Sequence, residues 1–340
     1  MATLDIFNND AFSVSRLTQL IVDIPRVPTQ LGDERLFTEA GLTTTTMMIE
    51  RKGAGLNLVP AAPRGGVGQT VGRDQRKMIP IAAIHLPQRD VIMADEVQGV
   101  RAEGTEQEVE SITQLVQRQA TKMKANIDLT LEYHRVGALK GLVLDANGVD
   151  VIYDLYNIFG MTRQSLAFNI NSASSTVDLK QKCIDLKRQV RNALGGRSLR
   201  RVRVKCSESW FDKFIGHNTM KASWERWNEG AFARTDQSTM DFEYAGVVFQ
   251  VYSGGTGGEG GSDFIPADRA YAYPEGVPGM FQTWYAPGDY MSTVNRMGVP
   301  YYMSQERMAH DKGVNLESQS NPLTINTLPE AVIELKTAAT

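Results

Sequence analysis

Between Gly104 and Gly137 the chain runs without a single glycine or proline, and apolar residues recur at Val109, Ile112, Val116, Ala120, Met123, Ile127 and Leu131. The steps are three and four residues, the spacing of one helix face. Thr105 and Glu108 are spaced as a capping box, in which each side chain reaches the other residue's backbone amide. Glu103, Glu106, Glu108 and Glu110 lie at the positive end of the helix dipole, with Lys122, Lys124, Arg135 and Lys140 toward the negative end. The pattern predicts one helix from Thr105 to about Lys140, roughly 50 Å long at 1.5 Å per residue. No strict heptad accompanies it. A rod of this length without a coiled-coil seam serves as a spine across which other elements lie.

The flanking sequence differs in kind. Residues 1–35 hold one short predicted helix ended by Pro25 and Pro28, and read as an arm that orders against a partner. Thr43–Ile49 and Met78–Leu86 are β-rich runs, separated by a segment crowded with glycine and proline. A connection that long is unusual inside a compact domain, so the whole reads as an extended hairpin needing another surface, most simply a neighbouring subunit. Its outer part carries Arg51, Lys52, Arg64, Arg73, Arg76 and Lys77 against Glu50 and Asp74, a net of +4. The next stretch carries Asp95, Glu96, Glu103, Glu106, Glu108 and Glu110 against Arg101, a net of -5. These twelve residues of opposite sign are the candidate subunit contacts; the alternative is a solvated loop beside an acidic helix start.

After the helix, Gly141–Leu144 and Val149–Tyr156 are expected to pair across the turn Asp145–Gly148. Val177–Leu194 reads as a helix stopped by Gly195 and Gly196, Leu199–Cys206 as a strand, and Glu208 to about Asn228 as one aromatic-rich helix. A hairpin or strand pair is expected over Phe242–Tyr252, and strands over Phe264–Tyr273, Met280–Tyr285, Leu323–Ile325 and Ala331–Leu335. Arg197, Arg200, Arg201, Arg203 and Lys205 form a basic strand edge, open to phosphate contact or neutralised by salt bridges.

Chemistry-bearing motifs are few. Gly255, Gly257 and Gly260 satisfy GxGxxG, but Pro266 follows where a dinucleotide site needs a helix. His85, His134, His217 and His310 are scattered, and Cys183 and Cys206 stand apart, so neither a metal site nor a disulfide framework is expected. No cofactor is expected. A net charge of -3 gives no global attraction to nucleic acid or membrane, and no apolar run approaches a membrane span.

The order of these elements carries a resemblance. The glycine- and proline-rich hairpin, the acidic-capped helix, Leu139-Lys140-Gly141, Asp263-Phe264-Ile265-Pro266-Ala267-Asp268-Arg269-Ala270-Tyr271, Ser320-Asn321-Pro322-Leu323 and Pro329-Glu330-Ala331-Val332-Ile333-Glu334-Leu335 resemble the lambda-type major capsid proteins of tailed bacteriophages, the capsid protein E family. The resemblance implies an α+β chain with the Hong Kong phage-type capsid fold. It implies an N-terminal arm (1–35), an extended loop (36–95), a peripheral domain (96–165 and 306–340) with the spine helix, and an axial domain (166–305). The implied function is a structural protein without catalysis, self-assembling into hexamers and pentamers of an icosahedral shell around double-stranded DNA. The implied partners are further copies of the chain, scaffolding protein, portal, a decoration protein and, by non-specific contact, the packaged double-stranded DNA, with no membrane and with assembly in the host cytoplasm. The competing reading is an α/β enzyme or nucleotide-binding protein that uses Gly254–Gly261.

Overall fold

The structure is a computed structural model describing residues 13–26, 29–51, 77–97, 112–172, 177–229, 241–254 and 263–338. The chain divides into two compact units, Met1–Met47 with Ile81–Arg135 and Gln282–Thr324, and Met48–Pro80 with Val136–Phe281 and Ile325–Thr340.

In the first unit, α1 (Val14–Asp23), α2 (Gln30–Asp33) and α3 (Ala94–Val97) accompany the long helix α4 (Ile112–Lys140), which passes into the second unit after Arg135. The expected start of that helix, with Thr105 and Glu108, lies outside the described residues. Its 29 described residues span about 43 Å at 1.5 Å each. The predicted face is buried as read: Val116, Ala120, Met123, Ile127 and Leu131 are all within 3 % of complete burial. Val116, Ala120, Ile127 and Leu131 join Leu17 and Ile21 of α1, Ile92, Tyr285, Met303, Val314 and Leu316 in one core. Each large aliphatic side chain there is worth about 1.5–3 kcal/mol of burial.

Two three-stranded sheets complete this unit. One has the order β1 (Thr38–Gly41), β12 (Phe281–Tyr285), β15 (Pro322–Asn326). The other has the order β13 (Tyr302–Arg307), β14 (Gly313–Ser320), β4 (Leu86–Met93), with β14 antiparallel to β4 from Gly313↔Met93 to Ser320↔Leu86. Sequence reading missed β1, β4, β13 and β14, the run expected over Met78–Leu86 ending where β4 begins. The hairpin is present at its base, where β2 (Thr46–Arg51) and β3 (Lys77–Ala82) form a two-stranded sheet.

The second unit is built on a mixed six-stranded sheet. Its order is β7 (Gln164–Ala167), β16 (Ile333–Lys336), β11 (Arg269–Glu275), β8 (Arg201–Cys206), β10 (Val247–Val251), β9 (Phe242–Tyr244). β8 therefore lies inside the sheet, not at its edge. Its basic residues are met across the strands: Arg201 by Glu275, Arg203 by Asp241 at 3.7 Å, Lys205 by Gln250. On the opposite face Val202, Val204 and Cys206 are buried. Helix α6 (Leu179–Ala193), capped by the Asp178 carboxylate, buries Leu179, Cys183, Leu186 and Val190, and Gly195 follows it with a φ of 58°.

The aromatic helix expected over Glu208–Asn228 is two helices, α7 (Glu208–Gly216) and α8 (Asn218–Glu229). His217 breaks them with extended backbone, ψ 138°, and its Nδ1 accepts the Thr219 N–H at 3.4 Å, capping the second helix. Trp210 and Phe214 of α7 meet Phe249 of the sheet, with ring centroids 6.0 and 4.5 Å away. A smaller hairpin, β5 (Leu142–Leu144) and β6 (Val151–Asp154), runs into α5 (Leu155–Phe159). The second strand stops at Asp154, short of the expected Tyr156, because the Asp154 carboxylate caps α5 by accepting the Tyr156 and Asn157 amides. Similarly, β11 starts at Arg269 because Phe264–Ile265 bends and Ala267–Asp268 turns, closed by the Arg269 N–H donating to Pro266 O at 3.2 Å. Cys183 and Cys206 are buried, free thiols.

Candidate assembly surfaces

Of the twelve charged residues proposed as contacts, Arg51 ends β2 and Lys77 opens β3, while Asp95 and Glu96 are exposed on α3. Lys52, Arg64, Arg73, Arg76, Glu103, Glu106, Glu108 and Glu110 lie outside the described residues. The apolar surface near Arg51 and Lys77 is conspicuous: Met48 on β2 is 60 % exposed and Met78 on β3 is 67 % exposed. A two-stranded ribbon has no core of its own, so these methionines stay in solvent in the single chain.

The hairpin leaves the first unit through two adjacent connections. Ala83 N–H donates to Thr45 O at 2.8 Å and joins them. Leu42 N–H donates to Tyr285 O, and Ile84 N–H to Pro322 O, fixing both to the body. The His85 ring nitrogen Nδ1 lies 2.7 Å from Asn321 Oδ1, and Asn321 Nδ2 donates to Pro287 O. A cavity of about 680 Å³ opens here between Thr43–Thr45, Ala83–His85, Ala286–Asp289 and Asn321.

The first unit also holds a charge arrangement that the sequence did not reveal. Lys124, Asp128, Glu132 and Arg135 lie at steps of four, four and three on α4, and all four are buried. The Lys124 ammonium donates to the carbonyls of Ile21, Val22 and Ile24, the unpaired C-terminal end of α1. It also sits 4.5 Å over the Tyr301 ring. Burial lowers its pKa, partly countered by Asp128, whose carboxylate accepts the Tyr301 hydroxyl. One turn on, Glu132 accepts the Leu31 amide at 2.7 Å, an anion at the N-terminus of α2. Arg135 reaches Glu39 at 2.8 Å, and Arg26 grips the same carboxylate with two bonds of 2.9 and 2.8 Å. Burial pushes the Glu39 carboxyl up, but Arg26 and Arg135 outweigh it and hold the group below its usual value. The spine thus reads residues 21–39 by charge, cation to carbonyl end and anion to amide end.

Among the described residues no cluster of His, Cys, Asp or Glu is arranged to hold a metal ion, and no helix is long and apolar enough to cross a membrane.

Sequence and fold comparisons place this geometry. The sequence matches the family described as phage major capsid protein E over residues 13–337. It is 27 % identical to the major capsid protein of Pseudomonas phage KPP10, covering 96 % of this chain and 97 % of that one. It is 22 % identical to the major capsid protein of Salmonella phage Felix O1, with the same coverage. The fold is similar to the capsid structure of cyanophage P-SCSP1u, with a TM-score of 0.50 and 13 % identity, covering 94 % of this chain and 90 % of that one. An α+β capsid fold and a match across almost the entire length lead to one assignment: the chain belongs to the phage major capsid protein E family.

Proposed function

We propose that this chain is the shell-forming subunit of a tailed bacteriophage, associating as hexamers and pentamers into an icosahedral capsid around double-stranded DNA. The carrying observation is the family match from residue 13 to residue 337. In this reading residues 1–35 act as the arm and 36–95 as the extended loop. The peripheral domain, 96–165 with 306–340, holds α4, and the axial domain, 166–305, holds α6 to α8. Exposed Met48 and Met78 support a loop that lies across an adjacent subunit. The basic residues Arg51, Lys52, Arg64, Arg73, Arg76 and Lys77 set its register against Asp95, Glu96 and the Glu103–Glu110 carboxylates of a neighbour. Association is spread over a large area, without a reaction centre. Assembly takes place in the host cytoplasm, with scaffolding protein, portal and a decoration protein as further partners. The enzyme or nucleotide-binding alternative has no support in the family or the fold.

Size-exclusion chromatography and electron microscopy of the purified full chain test this reading. Closed shells or rings of five and six are expected; a monomer at every concentration would overturn it. Reversing Arg73, Arg76 and Lys77 together to Glu should stop shell formation and leave a soluble subunit. Normal shells from that variant would remove the electrostatic docking.

A further inference from the structure

The second unit carries a concentration of positive charge that the capsid reading does not use. Residues 178–200 contain seven Lys and Arg against Asp178 and Asp185, a net of +5 in a chain whose total is -3. The strand once suspected of phosphate contact, β8, is not the seat of this charge. Its Arg201, Arg203 and Lys205 are engaged by Glu275, Asp241 and Gln250. The exposed cations stand instead on α6 and the loop after it.

The geometry follows from the helix. α6 turns Leu179, Cys183, Leu186 and Val190 inward. At 3.6 residues per turn, Lys180, Lys187 and Arg191 then share one outer side, separated by seven and four residues. Lys187 is half-buried and donates to Ala245 O at 2.7 Å. Lys180 and Arg191 are exposed, as are Arg197 and Arg200 beyond the Gly195–Gly196 turn. Arg188, also exposed, has Asp185 at 3.4 Å as a partner. From Lys180 to Arg191 the stripe is about 16 Å long, and Arg197 and Arg200 follow it within nine residues of sequence.

Its composition identifies the ligand chemistry. A surface that docks another protein has apolar and aromatic residues at its centre. Residues 178–200 contain no aromatic residue, and the exposed positions among them are Lys, Arg, Asp, Gln, Asn, Ser and Gly only. Aromatic platforms for unpaired bases are missing as well. An extended row of separated cations with amide and hydroxyl donors matches a regular polyanion read through its backbone.

We infer that the outer face of α6 and the loop to Arg200 contacts the phosphate backbone of double-stranded DNA without reading its sequence. The inference rests on the capsid reading for the source of that DNA, and it makes this face of the subunit the one turned toward the packaged duplex.

The test uses the full chain and a labelled 30-base-pair duplex, with anisotropy followed from low to moderate salt. Wild type should bind two unrelated sequences equally. The variant Lys180→Gln, Arg191→Gln, Arg197→Gln, Arg200→Gln should bind at least about tenfold more weakly at low salt. Its log K against log salt should be shallower by about 3–4, near 0.9 per lost phosphate contact. Arg197→Gln with Arg200→Gln should give about half that change and guards against a folding failure in the quadruple variant. Arg16→Gln with Lys122→Gln, two exposed sites in the first unit, should leave the slope unchanged. An unaltered slope in the quadruple variant overturns the inference, as does an equal loss in the first-unit control. It is also overturned if a peptide of residues 95–110, rather than DNA, loses its binding to the quadruple variant. Electron microscopy reads the capsid proposal separately: shells from the quadruple variant are expected, and their loss would place this face at a subunit contact instead.

Discussion

Lys124 closes the end of a helix a hundred residues earlier in the chain: its ammonium lies 2.8 Å from the carbonyl oxygen of Ile21. A lysine 1 % exposed is costly unless its three protons are met, and here they face three main-chain oxygens and an aromatic ring.

Replacing it tests that account. Lys124→Met keeps the stem and removes the donors, leaving the buried Ile21 carbonyl and the part-buried Val22 and Ile24 carbonyls unmet. A loss of about 2–3 kcal/mol is expected in urea unfolding. Protease cleavage within residues 14–26 should also become faster than in wild type. Unchanged stability would show that the carbonyls find water.

Glu39 supplies a pH-dependent counterpart. Its folded pKa lies below the ordinary 4.5, so its contribution is present above that value and disappears as pH falls through the folded pKa. Glu39→Gln should therefore cost stability at neutral pH, by about 1–3 kcal/mol, because buried Arg135 is left with Glu132 at 3.5 Å as its carboxylate partner. Its stability should also fall less than that of wild type between pH 5 and 3. Parallel acid limbs would exclude Glu39 as a source of acid sensitivity.

Lys140 gives the opposite sign. Burial, reinforced by Arg163, pulls it from 10.5 down to about 8. Below pH 8 the unfolded and folded chains both carry the charge, and the folded one carries it at a cost. Between 8 and 10.5 the unfolded chain binds more protons, so this residue's penalty is relieved as pH rises. The stability of wild type relative to Lys140→Met should therefore rise across that window, by up to about 3 kcal/mol in the wild type's favour. The Met variant loses the bond to Phe264 O at every pH, so only the slope is diagnostic. A flat difference would mean that Lys140 titrates normally.

Val116 is the simplest probe of the spine. It is 1 % exposed and lies in the core with Leu17 and Ile21. Val116→Asp should destabilise the subunit by more than about 3 kcal/mol. An unchanged melting temperature would show that this face is not core.

The spine was legible because helical periodicity is local: the steps from Val116 to Leu131 state which face is apolar. The charges between them were equally visible, but their burial was not, since Lys124 is satisfied by carbonyls and Arg135 by Glu39, ninety-six residues away. Arg201, Arg203 and Lys205 alternate with valines, which shows that a strand has one polar face. Alternation does not show whether neighbours lie on both sides, and β8 has them on both. The break at His217 had a signal in Gly216 followed by Asn218 and Thr219, overshadowed by the aromatic spacing around it. β14 was missed because Ser318, Gln319 and Ser320 look like loop residues, yet all three are fully buried in a strand whose backbone pairs with β4. Polar composition hides this strand even though one pairing partner, β13, directly precedes it and the other, β4, lies more than two hundred residues upstream.

The grip of Lys124 on α1 sets a limit on how this polypeptide can be shortened. A deletion ending before Ser13 leaves the gripped carbonyls in place. One running through Ile24 takes away every acceptor together with Leu17 and Ile21, and lays the apolar face of α4 open to water. Such a truncation would come out of the cell as aggregate, and the loss of particles would be blamed on a missing tether between subunits when the fault lay inside each one.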